Sequence, residues 1–116
     1  MKFKLILYVI GKRLVKKAKK DSEFQKKVAE KNCTVQIKTA DNSKGRFYTF
    51  NNGSVASTKG ISSNPTVSLV WKDAAIGAAG LTNNDKRTEA LQNGSLKLEG
   101  DGATALWFAG VVKEIK

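Results

Sequence analysis

Three sets of residues in this 116-residue sequence could do chemistry. The carboxylates Asp73, Glu99 and Asp101 are raw material for acid–base catalysis. The cations Lys12, Arg13, Lys16, Lys19 and Lys20 suit an anionic surface. The third set is apolar: Trp71, Leu81, Leu91, Leu106, Trp107 and Phe108 could wall a pocket for a water-poor ligand. Absences weigh between them. The sequence holds no histidine, so the residue most used as a general base near neutral pH, and the commonest metal ligand, is missing. Cys33 is the only cysteine, which rules out an internal disulfide and a CxxC metal site, and without histidine no Cys-His or Ser-His-Asp arrangement can be built. Neither GxxxxGK nor GxGxxG occurs, so no phosphate-cradling loop is expected. No metal and no cofactor are expected. Asp73 and Asp101 sit where helix caps belong, and Glu99 reads as surface charge. Carboxylate or lysine catalysis stays open in principle, but the residue set favours a binding protein over an enzyme.

The charge is large and uneven. Lys plus Arg number 21 against 10 Asp plus Glu, a formal net charge of +11. Residues 1–31 carry eleven cations and three carboxylates, so +8 of the total sits in the first quarter. Arginine, which reads bases best, occurs only at Arg13, Arg46 and Arg87, and no nucleic-acid-binding motif accompanies the cations. Nucleic acid is therefore not the expected partner. An anionic membrane or an acidic protein is the alternative, reached through the basic N-terminal helix.

The elements that must position these residues follow from periodicity. Residues 2–20 have helical spacing, with Phe3, Ile6, Leu7, Ile10, Leu14 and Ala18 on one face and the cations on or beside the other. Leu5 and Val9 fall among the cations, with Tyr8 beside them, which suits partial insertion into a membrane better than water. The apolar run Leu5–Ile10 is too short for a signal peptide core or a membrane span, so neither is expected, and a reduced cytoplasmic setting fits the lone thiol. Ser22 is the expected N-cap of a second helix, 23–31. From Cys33 the period falls to two: Cys33, Val35, Ile37 and Thr39 alternate with Thr34, Gln36 and Lys38, a half-buried strand. Residues 46–51 and 54–59 flank Asn52-Gly53, a type I′ hairpin signal. Residues 66–71, opened by Pro65, form the next strand. Asp73 is the expected cap of helix 74–81, and a second helix, 85–92, ends at Asn93-Gly94. Residues 95–99 form a short strand, and Gly100-Asp101 opens a terminal helix. Short loops favour an antiparallel meander with helices on one face, an α+β layer architecture.

Segment 74–80 holds four alanines and two glycines around Ile76. Such small side chains either allow close approach of helix and sheet or leave apolar volume for a ligand.

Two stretches, residues 65–73 (PTVSLVWKD) and 89–101 (EALQNGSLKLEGD), resemble the strand, helix starts and turns of the sterol carrier protein 2 family. The resemblance runs over about residues 33–112, with the N-terminal helix in a compatible place. It implies an α+β fold: a five-stranded, largely antiparallel sheet with helices packed on one face, enclosing an apolar tunnel for lipids. It implies no catalytic residues, and it places the apolar faces around Trp71, Leu91, Leu98 and Phe108 against the ligand. With Leu69, Ile76, Leu81 and Leu106 these complete the candidate lining. The small helix 74–80 would widen or shorten that tunnel. The expected function is a non-catalytic lipid-binding or lipid-carrier domain spanning residues 1–116, with residues 1–31 as its basic helical segment, cytoplasmic or peripheral to the membrane.

Overall fold

Helical spacing buries Phe3, Leu7, Leu14 and Ala18 on one face of α1 (Lys2–Lys20) in a computed structural model that describes residues 2–115. Helix α2 (Ser22–Val28) is capped by Asp21, whose carboxylate accepts hydrogen bonds from the Glu23 amide at 3.0 Å and the Phe24 amide at 3.1 Å. This corrects the expected cap at Ser22: the carboxylate one residue earlier reaches two orphan amides. The helix also ends sooner than expected, because Phe24 and Val28 are its only buried anchors and residues 29 and 30 lie exposed.

The strands are β1 (Cys33–Thr39), β2 (Gly45–Asn51), β3 (Ser54–Lys59), β4 (Val67–Trp71) and β5 (Leu96–Gly100). At the β2–β3 turn Asn52 has φ 52° and Gly53 φ 89°, as a type I′ hairpin requires. The sheet order is β3-β2-β1-β4-β5. Three strand pairs are antiparallel, but β4 runs parallel to β1, with Val35 opposite Val67 and Ile37 opposite Leu69. The simple meander is therefore corrected to a mixed sheet. After β3 the chain does not turn back on itself. Residues 60–66 instead cross the helix-free face, from the Gly60 amide on the Gly45 carbonyl (3.1 Å) to the Thr66 amide on the Thr34 carbonyl (2.8 Å). Three strand spacings, roughly 14 Å, separate β3 from β4, and a strand length must be retraced as well, so the link runs nearly extended. It covers part of that face. Gln36 lies 2% exposed, its side-chain carbonyl accepting from the Ser62 amide at 2.6 Å and its amide donating to Ser68 Oγ at 3.0 Å. Gln36 is thus buried where simple alternation puts it in water.

Helices α3 (Ala74–Thr82), α4 (Asn84–Asn93) and α5 (Gly102–Lys113) complete the fold. Asp73, Asn83 and Asp101 cap them. Helices α1, α3 and α5 pack on the same side of the sheet. The core lies there: Val35, Ile37, Tyr48, Phe50, Val67 and Trp71 from the sheet meet Phe3, Leu7, Phe108 and Val111. The buried Tyr48 hydroxyl donates to the Leu7 carbonyl at 2.8 Å, fixing α1 over β2, and burial pushes its pKa far above the usual phenol value.

Helix α3 settles what its small residues do. A Cβ on Gly77 would stand 2.5 Å from Phe3 and 3.2 Å from the Trp71 ring, and one on Gly80 would collide with the Trp71 six-membered ring. The glycines let α3 lie flat on Trp71. That close contact offsets the roughly 1 kcal/mol each costs in a helix.

Candidate functional site

The carboxylates do not form a site. Asp73 accepts from the Ile76 amide at 2.9 Å and serves as a cap. Asp101 accepts from Thr104 Oγ1 at 2.7 Å and from the Ala103 amide at 3.1 Å, and these bonds hold its carboxyl below the usual range. Glu99 stands on β5, exposed. Among the described residues no three His, Cys, Asp or Glu side chains gather as a metal would need. Cys33 is buried, and burial pushes its thiol up, away from the reactive thiolate.

The apolar residues behave differently. Leu69 and Trp71 of β4, Leu81 of α3, Leu91 of α4, Leu98 of β5, and Leu106 and Phe108 of α5 all line one cleft of about 210 Å3. Strand alternation aims Leu69, Trp71 and Leu98 at the helix side, where the register sets Leu69 opposite Leu98. Capping by Asp73, Asn83 and Asp101 fixes where the helical contributors start. Trp71 is 1% exposed. Its indole N–H has no acceptor among the described residues, and neither has that of Trp107. An unpaired buried donor costs about 1–3 kcal/mol. The mouth is wet: Leu91 is 49% exposed, Leu98 46% and Leu106 78%. The structure therefore shows an open cleft.

Ile76 is not part of it. It lines a shallow depression between α3 and α4 with Ala75, Ala79, Lys86 and Glu89, about 100° around the helix from Gly77. Residues the sequence did not single out for the cleft are Ile10, Ile37, Leu96 and Val112, with Asn84, Arg87 and Lys113 as its polar members. Ile10 and Leu96 carried a signal, since each lies on the apolar face of its element. Arg87 carried none. It is half-buried, and its Nε donates to the Gly80 carbonyl at 3.1 Å, tying α4 to α3 beside the cleft.

Of the eight cations of α1, the five candidates Lys12, Arg13, Lys16, Lys19 and Lys20 are exposed. Lys12, Lys16, Lys19 and Lys20 share a shallow depression with Tyr8, Val15 and Arg46. Arg13 lies around the helix, beside Lys17, Asp21 and Glu114. Among the described residues no helix is long and apolar enough to cross a membrane.

No protein-family model matches this chain, and no curated protein sequence matches it. Solved structures do. The fold superposes on a UbiJ-SCP2 ubiquinone synthesis protein with a TM-score of 0.67 at 12% identity, covering 97% of this chain and 96% of that one. Against the apo sterol carrier protein 2 of Yarrowia lipolytica the TM-score is 0.59 at 16% identity, with 92% and 89% covered. A stereoselective inverting sec-alkylsulfatase from Pseudomonas sp. gives 0.52 at 18% identity, but this chain spans only 14% of that protein. The architecture is the one that sterol carrier protein 2 structures share: five strands in a mixed, mostly antiparallel sheet, with helices packed against it.

Proposed function

We propose that this chain is a non-catalytic domain that binds a lipid or another apolar small molecule in the cleft floored by Trp71. The observation that carries this reading is the convergence of seven apolar side chains from five elements on one unfilled volume. With Ile10 of α1 added, the lining reaches from the first helix to the last, so residues 1–116 act as one ligand-binding unit. A cleft of about 210 Å3 is below the several hundred Å3 of most small-molecule sites, so part of a long ligand lies along Leu91, Leu98 and Leu106 at the mouth. Affinity comes from removing apolar surface from water, at roughly 25 cal/mol per Å2. The free indole N–H of Trp71 suits a ligand with a carbonyl or hydroxyl oxygen near its buried end. A structural relative along nearly its whole length is named for ubiquinone synthesis, so quinone lipids belong beside fatty acyl chains among the probes.

The test is native mass spectrometry and organic extraction of the purified protein, followed by titration with a fluorescent fatty acyl probe and a quinone lipid. Co-purifying lipid, or saturable probe binding at one site per chain, is the expected result. A protein that carries no lipid and takes up neither probe overturns the reading.

A further inference from the structure

We infer that a second surface, centred on Leu5, Tyr8 and Ile61, docks on an anionic phospholipid bilayer. Six large apolar residues are exposed on the described chain, and they fall into two groups of three. Leu91, Leu98 and Leu106 rim the cleft. Leu5 at 60%, Tyr8 at 49% and Ile61 at 41% exposure lie elsewhere, together on one hollow of about 350 Å3. The start of α1 brings Leu5 and Tyr8, and the link after β3 brings Ile61, which packs on Gly45.

The residues around this second group identify what it meets. Lys4, Lys44, Arg46 and Lys59 line the same hollow, and no carboxylate does. None of these four cations takes part in the ion pairs found among the described residues. The Arg46 guanidinium sits 5.5 Å from the Tyr8 ring centre and donates through Nη1 to Ser57 Oγ at 3.0 Å. Lys12 and Lys16 extend the positive field along α1 in the adjoining depression. Exposed aliphatic side chains inside a ring of flexible lysines match a layer of anionic headgroups over hydrocarbon. They match nucleic acid less well: two of the three exposed apolar residues, Leu5 and Ile61, offer no stacking plane, and only one of the four cations is an arginine. The surface is distinct from the cation row Lys12–Lys20, because Ile61 comes from the link after β3, Lys44 from the β1–β2 turn and Lys59 from the end of β3.

Flotation of the full chain tests this with phosphatidylcholine vesicles, alone or with about one third phosphatidylglycerol. The wild type is expected to float with the anionic vesicles only. Lys4→Gln, Lys44→Gln and Lys59→Gln should each weaken partition about fivefold, less at high salt. Leu5→Ser with Ile61→Ser should weaken it about tenfold while circular dichroism and Tm stay unchanged. Should the Ile61 change disturb the fold, Leu5→Ser alone, at the most exposed of the three, carries the test. Absence of flotation, or equal flotation with neutral vesicles, overturns the inference. So does wild-type partition by the Leu5→Ser, Ile61→Ser variant, which would mark bare attraction to any polyanion, an acidic protein or RNA included. Probe binding in the cleft, measured on the same variants without vesicles, stays unchanged and so separates this inference from the proposed function.

Discussion

The two exposed apolar groups, Leu91–Leu98–Leu106 and Leu5–Tyr8–Ile61, have similar exposure and opposite settings. Behind the first lies an unfilled cleft that ends on Trp71, with Asn84, Arg87 and Lys113 as its only polar lining. The second lies on a hollow of about 350 Å3 that has the buried Leu7 in its lining, and four cations surround it. Exposure alone therefore does not say what a hydrophobic patch is for. Depth behind the patch admits a single molecule's tail. A ring of cations around it favours an extended anionic surface.

The largest expected effect breaks the floor of the first region. Trp71→Ala should cost about 3–5 kcal/mol of stability, because it empties a fully buried indole from under α3. Thermal or urea unfolding reads that loss, and a Tm within a degree or two of wild type would mean that α3 does not rest on this ring. The milder Trp71→Phe keeps an aromatic floor but removes the unpaired N–H together with part of the buried ring. It should cost stability clearly less than Trp71→Ala, about 1–2 kcal/mol, while weakening an oxygen-bearing probe several-fold more than a pure hydrocarbon one. Equal weakening of both probes would assign the indole a purely steric role.

The contrast between regions was only half legible in the sequence. Caps and turns are local chemistry, so Asp73, Asp101 and Asn52-Gly53 stand where the letters put them. Strand alternation was legible for the same reason in β1, whereas Trp71 and Leu98 were placed against a ligand by the family resemblance. Ile76 was misplaced because α3 is apolar or small almost all round, so no stripe marks its inner face. The better marker was the pair Gly77 and Gly80, three residues apart, which need a bulky neighbour to lie against. The parallel β1–β4 pairing was hidden, since nothing in residues 60–66 distinguishes a link that crosses the sheet from one that turns back. The second region was hidden with it. Leu5 looked out of place on its helix, but only the end of β3 and that crossing link bring Lys59 and Ile61 alongside it.

A smaller effect should sharpen the division of labour. Leu106→Asp and Leu98→Asp place a charge at the cleft mouth on side chains already half or more in water. Stability should change by less than about 0.5 kcal/mol, as is usual for exposed positions. Affinity for an acyl probe should fall roughly tenfold, one and a half kcal/mol or so, because a tail leaving the cleft must now pass a carboxylate. Vesicle flotation should not change. A loss of flotation in these variants would mean that the mouth itself lies on the membrane and would merge the two regions into one.

The smallest expected effect comes from acid, and it reaches each region through its own aspartate. Asp101 anchors α5, which carries Leu106 and Phe108 of the cleft. Asp41 anchors the β1–β2 turn beside Lys44: its carboxylate accepts from the Ser43 amide at 3.0 Å and from Ser43 Oγ and Thr39 Oγ1 at 2.7 Å each. Those bonds hold Asp41 down to about 2, and the Thr104 hydroxyl and Ala103 amide hold Asp101 below its ordinary value. A carboxyl whose pKa is depressed by folding stabilises the fold fully above the unfolded value, near 4. That contribution is lost as pH falls through the folded value. Both carboxyls face solvent, so each effect is slight. Asp101→Asn keeps a competent cap and should flatten part of the fall in Tm below about pH 4. Asp41→Asn should flatten a different part, extending down toward pH 2, and should leave acyl-probe affinity at neutral pH as it was. A wild-type acid profile in both variants would show that neither turn couples proton uptake to stability. A shift of probe affinity in Asp41→Asn would show that the turn beside the basic hollow reaches the cleft after all.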